Sequence, residues 1–317
     1  MYNRRSFLTQ LGKTAIVAGA TTMLPKFVNA KEAMNEDAKL HKLTILHTND
    51  VHSRIEPFPI DGGKNQGRGG IAKRAALIKK IRAEEKNVLL LDAGDMFQGT
   101  PYFNYFGGEL EIKLMSKMGY DAGTIGNHDF DGGIDGLHKH FNAQANFPLI
   151  NCNYDFSETI MEHDTKPYQV FQKGLLKIGI LGVGIGLEGL VPAAMFKQTK
   201  YLNPVEQANK YAQILKQDEG CDYVICLSHL GYTPKGNSED KMCDLLLAKE
   251  TKHIDLIIGG HTHTFLETPT IVPNKANQEV LITQVGWAGM VLGRLDVYFE
   301  KDFGKKCVQC NNTVVGK

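Results

Sequence analysis

Short apolar runs recur along the chain at intervals that suit strands joined by helices. From Leu43 onward they are LTILH (43–47), NVLLLD (87–92), AGTI (122–125), FPLIN (147–151) and KIGILGV (177–183). DYVICLS (222–228), IDLIIGG (254–260), EVLITQV (279–285) and RLDVYF (294–299) continue the series. Their shortness and Val/Ile content predict strands buried on both faces, the habit of parallel or mixed sheets. Between them the period changes to that of helices. Ile71, Ala75, Ile78 and Ile81 outline one face. Asn203 followed by Pro204 is a cap with proline at the first helical position, and Val205, Ala208, Ala212 and Leu215 then share a face. Ser238 is the predicted cap of another helix, with Glu239 and Asp240 in its first turn and Met242, Leu245 and Leu246 turned inward. Strands alternating with helices predict an α/β domain. No linker interrupts residues 40–300, so a single domain is expected over 42–300, with a C-terminal tail at 301–317.

Residues 1–30 follow another logic. NRRSFLTQ (3–10) leads into the weakly apolar TAIVAGATTML and then PKFVNA, with small residues at Val28 and Ala30. Basic start, short apolar stretch and small-residue site predict a signal peptide cleaved near Ala30. The stretch is far below the ~20 apolar residues of a membrane span. Arg4-Arg5 ahead of Ser6-Phe7-Leu8 resembles a twin-arginine signal, which implies a periplasmic or otherwise exported protein whose mature chain opens with a short segment, 31–41. A net charge of +1 gives no reason to expect nucleic acid or an anionic membrane as partner. Of the six cysteines, Cys152 and Cys226 adjoin or lie in apolar runs and are expected as buried thiols. Cys307 and Cys310 form a lone C-x-x-C; a zinc ribbon needs a second pair, so a local disulfide or two idle thiols is expected.

The candidate chemistry lies directly after the strands. Asp50 and His52 follow the first run, Asp95 the second, Asn127, His128 and Asp131 the third, His229 the sixth, and His261 and His263 the seventh. In an α/β fold the carboxyl ends of strands form the ligand-binding edge. One aspartate after a strand is ordinarily a turn or cap residue, and Asp92, Asp129 and Asp135 fit that description. His41, His138, His140, His163 and His253 stand in polar surroundings and are expected to be solvated. Imidazoles, carboxylates and an amide arriving from five strands together have the chemistry of a metal site, suited to Zn, Mn or Fe. D-x-H at 50 and 52 and H-x-H at 261 and 263 each place two ligands on one side of an extended segment. Seven groups exceed one tetrahedral ion and suit two divalent ions sharing a carboxylate, the arrangement of a two-metal hydrolase.

DVH, GDMFQGT, GNHDFD, SHLG and GGHTH, in that order, resemble the signature of the calcineurin-like metallophosphoesterases. LHTNDVHS, LDAGDMFQGTP and IGNHDFDGG are similar, more narrowly, to the N-terminal catalytic domain of 5'-nucleotidases, and the likeness spans Leu43 to Phe299. The resemblance implies two mixed β-sheets packed between helices. It implies one metal held by Asp50, His52 and His263, a second held by Asn127, His229 and His261, and Asp95 bridging them. It leaves His128 free of metal, paired with Asp131 and facing the substrate phosphate, and it makes Asp129 structural. Histidine at 263 replaces the glutamine of some bacterial relatives, as in the animal enzymes. Two-domain members carry a C-terminal domain that reads the nucleotide, so a separate polypeptide supplying that surface is expected here. The motifs leave open 2',3'-cyclic phosphodiesters, nucleotide sugars and thiosulfohydrolase-type substrates. A non-catalytic metal-binding subunit would be marked by loss of a ligand or of the His128/Asp131 pair, and all are present.

Overall fold

A computed structural model describes residues 40–234, 242–300 and 305–316. The expected signal peptide, nearly all of segment 31–41, and the Ser238 cap with Glu239 and Asp240 lie outside the described residues.

In chain order the first half carries β1 (His41–Thr48), α1 (Ile71–Glu84), β2 (Val88–Asp92), α2 (Pro101–Phe106), α3 (Glu109–Met118), β3 (Ala122–Gly123), α4 (Gly133–Gln144) and β4 (Leu149–Ile150). Then come β5 (Tyr154–Asp155), β6 (Thr165–Lys166), β7 (Tyr168–Lys173), β8 (Leu176–Val183), α5 (Ala193–Phe196), β9 (Lys200–Tyr201) and α6 (Pro204–Gln213). The last third carries β10 (Tyr223–Ser228), α7 (Asp244–Glu250), β11 (Leu256–Gly259), β12 (Thr270–Pro273), β13 (Glu279–Thr283), β14 (Val291–Phe299), β15 (Lys305–Cys310) and β16 (Thr313–Val314). All nine expected runs contain a strand.

The strands form two large sheets. One has the order β15-β14-β1-β2-β3-β4-β6, with β16 also on β14; the other has the order β12-β13-β11-β10-β8-β7. β1 to β4 are parallel neighbours in the first, and β8, β10, β11 and β13 in the second. The period-2 alternation of side chains divides each run between two cores. Leu43, Ile45, Leu89 and Leu91 face Ile180, Ile225, Leu227 and Ile258 between the sheets. Leu46 and Leu90 turn the other way and pack with Ile78, Ile81, Ile112, Ile134 and Leu137 of the helices. Leu181, Val224, Cys226 and Ile257 meet Ala208, Ala212, Leu215 and Leu247 on the far side. The result is the expected fold, mixed sheets sandwiched between helices. Each such Leu or Ile contributes about 1.5–3 kcal/mol by burial.

The helices obey the local signals. Asn203 Oδ1 accepts from the backbone N–H of Val205 and Glu206, capping α6 behind Pro204. Around α7, Leu247 and Ala248 are the fully buried apolar residues, while Met242 and Leu245 are only partly buried against the same cluster. Residues 305–310 and 313–314, expected as a tail, pair with β14 and extend the first sheet. All six cysteines are thiols, with Cys152 and Cys226 buried. Cys307 and Cys310 lie three apart on β15 and so point to opposite faces, which rules out the local disulfide. Among the described residues no helix is long and apolar enough to cross a membrane.

Candidate metal centre

The parallel strands of both sheets end on one edge, and there the predicted residues meet. Asp50 and His52 follow β1, Asp95 follows β2, and His229 and His261 follow β10 and β11. The two sheets are tied together at this edge by main-chain and side-chain bonds. His229 Nδ1, beyond β10, lies 2.7 Å from Ala93 O, beyond β2, while Asp50 N–H donates to Gly94 O at 2.9 Å within the first sheet. His261 N–H donates to both oxygens of Asp50, at 3.0 and 3.1 Å.

Two groups of candidate ligands result: Asp50, His52 and His263, and Asp95, His229 and His261. Within the first, His52 Nε2 and His263 Nε2 are 3.0 Å apart, and His263 Nε2 is 3.3 Å from Asp50 Oδ1. Within the second, His229 Nε2 is 3.1 Å from Asp95 Oδ2. Asn127 joins it, its Oδ1 2.8 Å from His261 Nδ1. Asp95 faces both groups, since Oδ2 is also 3.8 Å from His52 Nε2. All seven residues predicted as ligands are therefore together.

The donor set fits a metal on its own geometry. Ala93 O takes the Nδ1 proton of His229, which turns the fully buried Nε2 toward the site and Asp95 Oδ2. Phe97 O, 3.2 Å from His52 Nδ1, orients the second ring in the same way. Backbone carbonyls on the outer nitrogen are how proteins aim an imidazole lone pair at a metal. Burial alone would lower the pKa of His229, but the Asp95 carboxylate outweighs it and pushes the value up to about 10. Burial would raise Asp95, and the charge and hydrogen bond of His229 instead hold it well below the usual carboxylate range. The site thus demands a cation between these groups, a proton or a metal.

The backbone carries strain at the same positions. Asp50, His52, Asp95, His261 and His263 have φ of 50°, 50°, 57°, 67° and 54°, in the left-handed region. Such residues cost about 1–2 kcal/mol each and persist at functional sites, where the surroundings over-determine them. Gly126 answers a different need. A Cβ there would fall 2.2 Å from Asp95 Oδ1 and 2.7 Å from His229 Cε1, so glycine allows the GNHD segment to press against the centre.

His128 belongs to neither group. Its Nδ1 is 2.9 Å from Asp131 Oδ2, and its N–H donates to Asp95 Oδ1 at 2.8 Å. The hydrogen bond to Asp131 raises the imidazole pKa above its ordinary value, against partial burial. Asp129 points away and accepts from the N–H groups of Asp95, Met96, Phe97 and Gly126 at 2.8–3.2 Å, binding the second and third strand ends together.

Two expectations need refinement, and two residues need adding. Asp92 accepts from Gly94 N as a turn aspartate does, but it is also fully buried and accepts from Thr48 Oγ1, and burial pushes its pKa up to about 7. His138 is not simply solvated, since Nδ1 lies 2.6 Å from Asp164 Oδ2. Trp287 and Gln284 escaped the sequence reading. Trp287 stacks on His263 with ring centroids 5.8 Å apart and planes 10° from parallel. As the one tryptophan in the chain it was visible, yet no motif marks it.

The calcineurin-like phosphoesterase family matches residues 43–265, a span that includes both candidate groups. The chain belongs to that family, whose members use divalent metals. More particularly, it is 36% identical over 287 residues to the snake venom 5'-nucleotidase of Crotalus adamanteus, covering 84% of this chain and 47% of that one. The structure superposes on the 5'-nucleotidase precursor from Thermus thermophilus with a TM-score of 0.78 at 32% identity, over 87% of this chain and 55% of the other. The NAD nucleotidase of Haemophilus influenzae follows with a TM-score of 0.75 at 28% identity, over 87% and 51%. This chain spans about half the length of these relatives.

Proposed function

We propose that this chain is an exported, dinuclear-metal phosphoesterase that hydrolyses phosphate monoesters, with nucleotides cleaved in the manner of a 5'-nucleotidase as the foremost substrates. The observation that carries this is the pair of ligand groups on one edge, with His128 and Asp131 beside them and outside both. Asp50, His52 and His263 would hold one ion and Asn127, His229 and His261 the other, with Asp95 between. When bound, the ions would supply Lewis acidity toward the phosphoryl group and an activated water. Zn, Mn and Fe all suit imidazole and carboxylate ligands.

The chain's own residues perform the rest. Asp131 engages Nδ1 of His128 and favours its charged form, so the imidazolium is available to stabilise phosphoryl oxygens or protonate the leaving oxygen. Asp129 keeps the two loops that carry Asp95 and His128 at fixed separation through its four accepted bonds. Discrimination among nucleosides needs contacts to base and sugar beyond the phosphate, and remote binding energy also accelerates turnover. The proposal therefore includes a substrate-reading module over this edge, in the same or another polypeptide. Export rests on the twin-arginine pattern at Arg4-Arg5 and the relation to a venom enzyme.

The test is a hydrolysis panel on metal-reconstituted protein: nucleoside monophosphates, cyclic nucleotides, nucleotide sugars, thiosulfate esters and an aryl phosphate. Metal-dependent release of phosphate from the monophosphates is expected. Cleavage confined to cyclic esters or pyrophosphates would replace the monoesterase reading, and no hydrolysis of any would favour a metal-binding subunit.

A further inference from the structure

The loop between β11 and β12 carries two proposed ligands, His261 and His263, that belong to different groups. Two residues apart, both with left-handed backbone, they would diverge to separate ions only if the loop is held in one shape. Gln284, just past β13 and fully buried, supplies the hold. Its Nε2 donates to Gly260 O at 2.6 Å, immediately before His261. Its Oε1 accepts from Thr262 Oγ1 at 3.1 Å, between the two histidines, and from the N–H of Thr264, immediately after His263. One amide thus grips the loop before, between and after the ligands. The main chain reinforces it: Leu266 N–H donates to Gln284 O at 3.0 Å and Gly286 N–H to Thr264 O at 2.9 Å.

We infer that Gln284 is the positioning residue that sets the separation of the two metals by fixing the His261–Thr262–His263 loop. This rests on the two-metal reading above. Gln284 holds Gly260 O, Thr262 Oγ1 and Thr264 N–H, so it acts on the ligands through the loop that carries them. An amide is required because a donor must reach Gly260 O while an acceptor faces Thr262 and Thr264. A methionine has the length and neither function. Outer partners of metal ligands typically contribute about 10–100-fold in metal affinity.

The test uses the full chain stripped of metal and titrated with Mn(II), read by bound equivalents and by electron paramagnetic resonance. Wild-type protein is expected to bind two equivalents and show an exchange-coupled pair. Gln284→Met is expected to bind Mn(II) about 10–100-fold more weakly and to show uncoupled ions. Asn274→Ala is the control for lost stability alone. Asn274 is also a buried amide gripping a loop, its Oδ1 accepting from the N–H of Ala276 and of Gln278 at 2.9 Å, at the opposite end of β13 from Gln284. It should lower the urea midpoint and leave two coupled ions. Two coupled ions at wild-type affinity in Gln284→Met would overturn the inference and leave the two-metal reading intact. Fewer than two ions in wild-type protein would overturn both. Should Gln284→Met fail to fold, Thr262→Val decides: weakened binding with lost coupling supports the role, and unchanged affinity and coupling refute it.

Discussion

His47 and His229 are both fully buried imidazoles attached to strands of the joined sheets, and they meet opposite fates. His47 lies inside β1, opposite Leu91 and Gly293, with Nδ1 unpartnered and Thr283 Oγ1 3.5 Å from Nε2. Burial pushes its pKa down to about 3. His229 stands one residue beyond β10, where Asp95 and Asp50 converge, and is pushed up to about 10. Desolvation penalises both charges alike; the carboxylates at the edge decide the sign. The surroundings of His47 thus disfavour a cation, and a short way further along the same sheets the edge favours one.

The edge should fail as a unit when its shared carboxylate is neutralised. Asp95→Asn is expected to lose both metals and reduce phosphoesterase turnover to background, measured by metal analysis and initial rates. Chelation of wild-type protein should do the same, and full activity without metal would remove the contrast altogether. His128→Ala separates chemistry from metal binding at the same edge. Turnover should fall ~10²–10⁴-fold while metal content stays near wild type; metal loss equal to that of His229→Ala would place His128 among the ligands instead.

The interior gives a pH signature. Because the folded pKa of His47 is depressed, its contribution to stability is intact above about 6.5, the unfolded value, and is lost as pH falls toward about 3. The loss approaches about 1.4 kcal/mol per pH unit within that window. Urea unfolding of metal-free protein at about pH 7 and about pH 4, on either side of the unfolded imidazole pKa, should show His47→Gln less acid-sensitive than wild type; equal acid sensitivity would mean that this imidazole titrates normally. The smallest effect is expected at the boundary between the two regions. Removing the Trp287 ring from His263 forfeits about 0.5–1.5 kcal/mol of stacking, so Trp287→Ala should weaken the His263 metal only several-fold, read by metal titration.

Legibility differed by element for physical reasons. The central strands were plain because both faces are covered, so the apolar run is unbroken. β7 and β12 lie at sheet edges, and their mixed sequences YQVFQK and TIVP do not announce strands. β15 was missed likewise; Val308 and Cys310 pack on the inner core. The site residues stood out because their types cluster after strand ends. Asp92 and Asp95 look alike in LLLDAGD, yet one closes a buried bond to Thr48 and the other faces the ions' proposed position.

By itself the sequence determined the α/β class, the nine central strands, the capped helix at Asn203 and the residue types brought to the carboxyl edge. These depend on local periodicity and on side chains adjoining each strand, which survive in a linear reading. Tertiary structure alone decided that Gln284 clamps the H-x-H loop and that His261 N–H closes on Asp50. Each of these depends on partners far apart in the chain, such as His261 N–H on Asp50, 211 residues away. Periodicity reports which face of a strand is apolar; it carries no record of which strand ends meet when two sheets close on one another.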